Sequence, residues 1–322
     1  MATGKLGDFV AKCKMSRTGE GPPIDAAASP RYPPPAMTRL IAGLCEIADA
    51  YDVLLCDVWG VIHNGREAFS GPCAVLARWR AERGPVVLIS NSPRPASDVA
   101  HRLDALGVPR RAWSAFVTSG DATRALLAER APGPAWRIGP ARDEPLFAGL
   151  GLAYAGPEEA AFIAVSGPED DEVETPEDYR VALTKAQARG LPMICANPDI
   201  VVQRGDKLIY CGGALAQLYD TLGGPTIMAG KPYAPIYDAS LAEAERLLCG
   251  PLDRRRVLAI GDGLATDVKG ANEQDLEVLF IGGGIHAAET LGPSGALEPA
   301  AVEALLAGQG VRAGYAMAEL RW

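Results

Sequence analysis

LLCDVWGVIHNG, residues Leu54 to Gly65, decides the reading of this chain. An apolar run that starts at Val53 stops abruptly on Asp57, and Gly60 follows three residues on. The run is too short for a helix and too uniformly apolar for a half-exposed strand, so it reads as a buried strand of a parallel sheet. Its aspartate then projects from a tight turn at the sheet edge. The same shape recurs: VVLISN ends on Asn91, VLAIGD on Asp262 and VLFIGGG on Gly284.

Helical stretches separate these runs. CAVLARWRAERG (73–84), ASDVAHRLDALG (96–107) and PIYDASLAEAERLLCG (235–250) each close on a glycine suited to a left-handed helix stop. Repeated strand, loop and helix predict an α/β fold with a Rossmann-like, doubly wound parallel-sheet core. In such sheets ligands gather beyond the carboxyl ends of the strands, where Asp57, Ser90, Asn91 and Asp262 all arrive. The middle of the chain reads differently, with strands at WRIG and AFIAVSG and a helix opened by Thr175 and Pro176 and closed by Gly190. We expect a core of residues 37–133 and 225–322 and an inserted α/β domain of residues 134–224, bounded by the APGP and GGP clusters. Residues 1–36, ending in SPRYPPPA, read as a flexible tail.

Composition narrows the function. The 322 residues, 48% hydrophobic and 22% charged, suit a globular protein with a large core. A net charge of -9 argues against nucleic-acid and membrane partners, which need a basic surface. No apolar stretch approaches the roughly 20 residues that span a bilayer, and no secretory signal is evident. Seven scattered cysteines without a C-x-x-C spacing suit free thiols in a reducing, cytoplasmic setting. The sequence leaves a homo-oligomer open.

Four elements carry chemistry. Asp57 is placed to attack phosphorus or carbon as a nucleophile, although an aspartate there would also serve as a turn cap. AIGDGLATDVKGA puts Asp262 after a strand and Asp267 five residues later, at an expected helix start. With Asp57 they form an oxygen-rich set suited to Mg²⁺; alone, Asp267 would also serve as a helix cap. Lys231 in the GKP triplet could neutralise a phosphoryl group and the nucleophile together, or simply be a solvated lysine. Ser90 and the amides after it could hold phosphoryl oxygens at a helix start, or form an ordinary turn.

In this order, each at a strand end, the four elements resemble the motifs of the haloacid dehalogenase-like hydrolase superfamily. CANPD (195–199) ahead of GKP makes the insert similar to the class II (IIA) caps of that group. The resemblance implies Asp57 as nucleophile, Ser90 as phosphoryl ligand and Lys231 as charge stabiliser. It also implies Mg²⁺ held by Asp57, Asp262, Asp267 and the backbone carbonyl of Trp59. Asn91 adds a substrate contact beside Ser90, and Asn197 and Asp199 match a cap motif near the substrate.

One position departs. Phosphatases of this superfamily carry a second aspartate two residues after the nucleophile, and Trp59 stands there. That acid protonates the leaving alkoxide, work commonly worth a factor of about 100 to 10,000. His63, with an ordinary pKa of about 6.5, is a candidate substitute or a substrate-side loop residue. The expectation is a Mg²⁺-dependent phosphatase of a small phosphorylated metabolite. The alternatives are a silenced phosphate-binding protein, or a hydrolase of a phosphonate or organohalide, whose leaving group needs no proton.

Overall fold

The computed structural model describes residues 37–204 and 207–322. The expected N-terminal tail lies outside the described residues. The strands, in chain order, are β1 (Arg39–Leu40), β2 (Val53–Asp57), β3 (Val86–Ser90), β4 (Ala115–Thr118), β5 (Ala135–Ile138), β6 (Phe162–Val165), β7 (Met193–Cys195), β8 (Val201–Arg204), β9 (Lys207–Tyr210), β10 (Thr226–Met228), β11 (Val257–Gly261), β12 (Glu277–Ile281) and β13 (Tyr315–Met317).

Seven of them form one parallel sheet in the order β1-β13-β12-β11-β2-β3-β4. The order runs outward from β2 in both directions, so the topological switch falls between β2 and β11. Register pairs Ile260 with Cys56 and Asp57 with Ile89, which brings the carboxyl ends of β11, β2 and β3 level. Side chains alternate across the sheet as strand geometry demands. Leu54, Cys56, Leu88 and Ile260 join one buried cluster, and Val53, Leu55, Val87 and Ala259 join the other. Burial on both faces is what the unbroken apolar runs encode.

A second parallel sheet, ordered β10-β7-β6-β5, carries its own two apolar clusters, with Ile163 and Met193 in one and Phe162 and Ile194 in the other. β10 corrects the boundary expected after Gly224. Thr226 pairs with Met193 and Met228 with Cys195, so this strand belongs to the smaller sheet although it lies past the GGP turn. The turn punctuates a helix end instead, since it follows the helix Gly212–Thr221 directly. β8 and β9 form an antiparallel hairpin outside both sheets.

The expected helices are present as Ser70–Glu82, Ala96–Ala105 and Ala234–Leu248. The last closes one residue early, because Cys249 rather than Gly250 takes the left-handed conformation at φ 55°. The start expected at Thr175 and Pro176 is made by a reciprocal cap, with the Asp178 carboxylate accepting from the Thr175 amide at 2.7 Å. Cys45, Cys56, Cys73, Cys195 and Cys211 are free thiols. No described helix is long and apolar enough to cross a membrane.

Candidate active site

Three strand ends and one loop build the site. Asp57 terminates β2, Asp262 follows β11, Ser90 terminates β3, and Lys231 lies in the loop after β10. The Lys231 side chain is almost wholly buried, and its ammonium donates to Asp57 Oδ1 at 2.5 Å and to Asp267 Oδ1 at 2.7 Å. Asp57, Asp262 and Asp267 are themselves buried, and one carboxylate oxygen from each lies within 4.8 Å of the others. Lys231 is therefore a buried, doubly paired lysine and not a solvated one.

Asp267 does not cap a helix start. It sits inside a single π-turn, Leu264–Val268, where its Oδ2 accepts from the Gly263 amide at 3.1 Å and from Thr266 Oγ1 at 3.2 Å. Such turns recur at functional sites because the wider coil swings one side chain out of helical register. Here it turns Asp267 toward Lys231. Asp262 is fixed by the Ile285 amide, which donates to its Oδ2 at 2.9 Å. Gly60 is required by both its φ of +84° and its neighbour, since a β-carbon there would lie 2.1 Å from Asp262 Oδ2. Tyr237, which no motif marks, places its hydroxyl 3.4 Å from the Asp267 carbonyl and supports the turn from behind. In sequence it is indistinguishable from a core tyrosine on an amphipathic helix.

Charge balance explains the electrostatics. Three carboxylates and one ammonium leave two negative charges uncompensated when all are ionised. Burial, then repulsion from Asp267, pushes the Asp57 carboxyl up to about 8. The same two causes lift Asp262 to about 6. Burial pulls Lys231 down, but Asp267 and Asp57 overrule it and hold the ammonium above its ordinary value. A buried all-oxygen set that is strained by its own charge fits a hard divalent cation. The donor set therefore matches the ion implied by the motifs.

The remaining candidates divide. Ser90 ends β3 with its Oγ accepting from the Ser92 amide at 3.3 Å, which orders the turn after the strand. Asn91, expected beside the substrate, uses both ends of its amide on protein. Its Oδ1 accepts from the Lys231 amide at 2.7 Å, and its Nδ2 faces the Lys231 carbonyl at 3.1 Å and Asp199 Oδ1 at 3.4 Å. Asn91 thus positions Lys231 and reaches the insert. Asn197 is buried and its Oδ1 accepts from the Asp199 amide at 3.1 Å, forming a turn that presents Asp199. Gly230 permits this approach, since a β-carbon would lie 2.6 Å from Asn91 Oδ1 and 2.8 Å from Pro198.

His63 is buried, its Nδ1 accepts from the Gly65 amide at 2.9 Å and its carbonyl accepts from the Gly60 amide at 2.8 Å. Burial and then Arg102 hold the imidazole below its ordinary value. Its bonds shape the loop from Trp59 to Ala68. Trp59 itself is 55% exposed, with Gly65 beneath its indole nitrogen.

A parallel sheet that gathers three buried carboxylates and a buried lysine at one edge is the arrangement found here. The sequence pattern of haloacid dehalogenase-like hydrolases matches residues 54–153, and a HAD-hydrolase-like pattern matches residues 228–306. A haloacid dehalogenase-like hydrolase of known structure from Brucella suis is 45% identical, with a TM-score of 0.73, over 87% of this chain and all (100%) of that one. The chain belongs to the haloacid dehalogenase-like hydrolase family. A curated D-glycerol 3-phosphate phosphatase from Mycobacterium tuberculosis is 28% identical over 76% of this chain, and the match spans 66% of that relative's length. A glycerol phosphate phosphatase from the same organism, solved in complex with magnesium, shares the fold at 24% identity and a TM-score of 0.58, over 75% of this chain and 71% of that one.

Proposed function

We propose that this protein is a Mg²⁺-dependent phosphatase of a small phosphorylated metabolite, with Asp57 as the nucleophile. The observation that carries the reading is the buried Lys231 ammonium, bonded to Asp57 and Asp267 with Asp262 within cation-sharing distance, at the sheet edge beside Ser90. Asp57, Asp262, Asp267 and the Trp59 carbonyl would hold the ion, whose charge offsets that of the phosphoryl group. Lys231 holds Asp57 in place and opposes the charge that builds on it. Ser90 and the amides of its turn receive phosphoryl oxygens. The phosphatase names of the Mycobacterium relatives agree with this reading, and magnesium in one of them agrees with the metal.

A second reading, a phosphate-binding protein that turns over little or nothing, is favoured by one observation: an exposed indole stands where the family's acid belongs. A phosphonate hydrolase of this group would need a lysine from the insert for a Schiff base, and Lys185, one candidate there, is exposed and paired with Glu158 at 2.9 Å. A turnover screen over phosphorylated metabolites, phosphonates and haloacids, with and without Mg²⁺, tests the proposal. Mg²⁺-dependent release of phosphate from a monoester is the expected result. Saturable binding of such esters without turnover would install the second reading.

A further inference from the structure

We propose that Asp199, delivered by the insert, is the general acid that position 59 lacks. The inference rests on the phosphatase reading and names the residue that completes its chemistry.

Two alternatives fall first. The Trp59 indole has no proton to exchange near neutral pH. His63 is buried, its Nδ1 is committed to the Gly65 amide, and burial and then Arg102 lower its affinity for a proton.

Asp199 has the placement. The loop that carries it is tied to the core at two points, by Ser119 Oγ donating to the Ala196 carbonyl at 2.5 Å and by Asn91 Nδ2 reaching Asp199 Oδ1 at 3.4 Å. The same Asn91 grips the backbone of Lys231, whose ammonium holds Asp57. Asn91 also follows Ser90 directly, so the Asp199 carboxyl stands one side chain from the phosphoryl-side turn. In-line attack by Asp57 sends the leaving oxygen away from the end of β2, the side on which Asn91 ties Asp199 to Lys231. Asp199 Oδ2 has no hydrogen-bond partner among the described residues. That oxygen can carry the proton.

Its surroundings suit the task. Burial raises the Asp199 carboxyl above its ordinary value, Asn91 and Lys231 oppose the rise, and Asp267 assists it. The titratable groups facing it are Lys231 and Asp267 from the core and Cys195 and Cys211 from the insert. A carboxyl moved toward neutrality is a better acid at working pH.

The steps balance. An Asp57 carboxylate oxygen bonds to phosphorus, the phosphorus–oxygen bond to the alcohol breaks, and the departing oxygen takes the Asp199 proton. Water then attacks the aspartyl phosphate, giving its proton to the Asp199 carboxylate, and inorganic phosphate leaves as Asp57 is restored.

Single-turnover rates on an alkyl phosphate and on p-nitrophenyl phosphate test the assignment, using the unaltered protein, Asp199→Asn, and Asp199→Asn combined with Trp59→Asp. The asparagine keeps an acceptor for Asn91 but has no acidic proton to give. Asp199→Asn should slow the alkyl ester by about 100- to 10,000-fold but the aryl ester, whose phenolate leaves unprotonated, by less than about tenfold. The fall in alkyl rate with rising pH, as Asp199 loses its proton, should vanish in that variant. Adding Trp59→Asp should recover the alkyl rate. Equal slowing of both esters would reduce Asp199 to a structural tie, and no slowing of either would remove it from the chemistry. An unaltered protein that cleaves neither ester would overturn the phosphatase reading, and the acid role with it.

Discussion

Asp262 and Lys231 act in opposite ways on the same cluster. Asp262 is a pure donor, held by the Ile285 amide and bonded to no cationic side chain among the described residues. Asp262→Asn should therefore weaken Mg²⁺ binding at least about tenfold, or about 1.4 kcal/mol, in isothermal titration calorimetry. Unchanged affinity would mean that the ion sits elsewhere. Lys231→Met removes the ammonium between Asp57 and Asp267 and leaves two buried carboxylates facing each other. Breaking a buried pair from one side typically costs about 3 to 5 kcal/mol. Urea unfolding of the Mg²⁺-free variant should show a loss of that order at pH 8. The loss should shrink at pH 5.5, where the carboxyls can protonate. A loss independent of pH would assign the effect to packing alone.

Among the elements, the helix Ser119–Ala128 has the heaviest duty, because its start joins β4, the turn after Ser90 and the loop of the insert. Asp121 closes a reciprocal cap with Thr118 and also accepts from the Ala96 amide at 3.1 Å, so one carboxylate fixes the starts of two helices. Next to it, Ser119 reaches the Ala196 carbonyl. Asp121→Ala leaves the Ala96 and Thr118 amides without an acceptor, and a cap substitution alone costs about 1 kcal/mol. We expect about 2 kcal/mol in chemical denaturation. Asp121→Asn, which keeps an acceptor oxygen, should cost less than half as much. Equal losses from both substitutions would show that charge at the helix start, not the bonds, is what matters.

For the whole molecule the cluster couples stability to pH and to the cation. Asp57 has a folded value of about 8 and Asp262 of about 6, both above the unfolded value of about 3.9. Between pH 4 and 8, as an order-of-magnitude window, the native state therefore binds more protons than the unfolded chain. Its stability falls as pH rises through this window. Mg²⁺ bound by these carboxylates would remove that penalty and would meet less competition from protons at higher pH. The gain in Tm on adding saturating Mg²⁺ should thus be larger at pH 8 than at pH 6, measured by calorimetry on the same preparation. An equal gain at both would show that Asp57 and Asp262 do not share the ion. Taking the difference with and without Mg²⁺ cancels the titration of distant groups.

Much of this was written in the chain itself. The apolar runs ending at Asp57, Asn91, Asp262 and Gly284 fix buried parallel strands because a strand covered on both faces tolerates no polar residue until it emerges. That rule also delivers Asp57, Ser90 and Asp262 to one edge, whereas Lys231 and Asp267 were legible only as residues near strand ends and reach the cluster through a loop and a turn. Tertiary structure decided what no local pattern encodes. β10 joins the smaller sheet because its partner, β7, lies some thirty residues back in sequence (Thr226 with Met193), and no feature of Thr226–Met228 announces that pairing. Asp267 turned out to lie in a π-turn, because its carboxylate answers to Lys231 across the fold rather than to the helix that follows. Asn91 became a brace, and Asp199 a neighbour of the core, through contacts between segments more than a hundred residues apart (Asn91 with Lys231 and Asp199). Local spacing sets which face a side chain takes. What that side chain meets is set by how the sheets and the insert pack together.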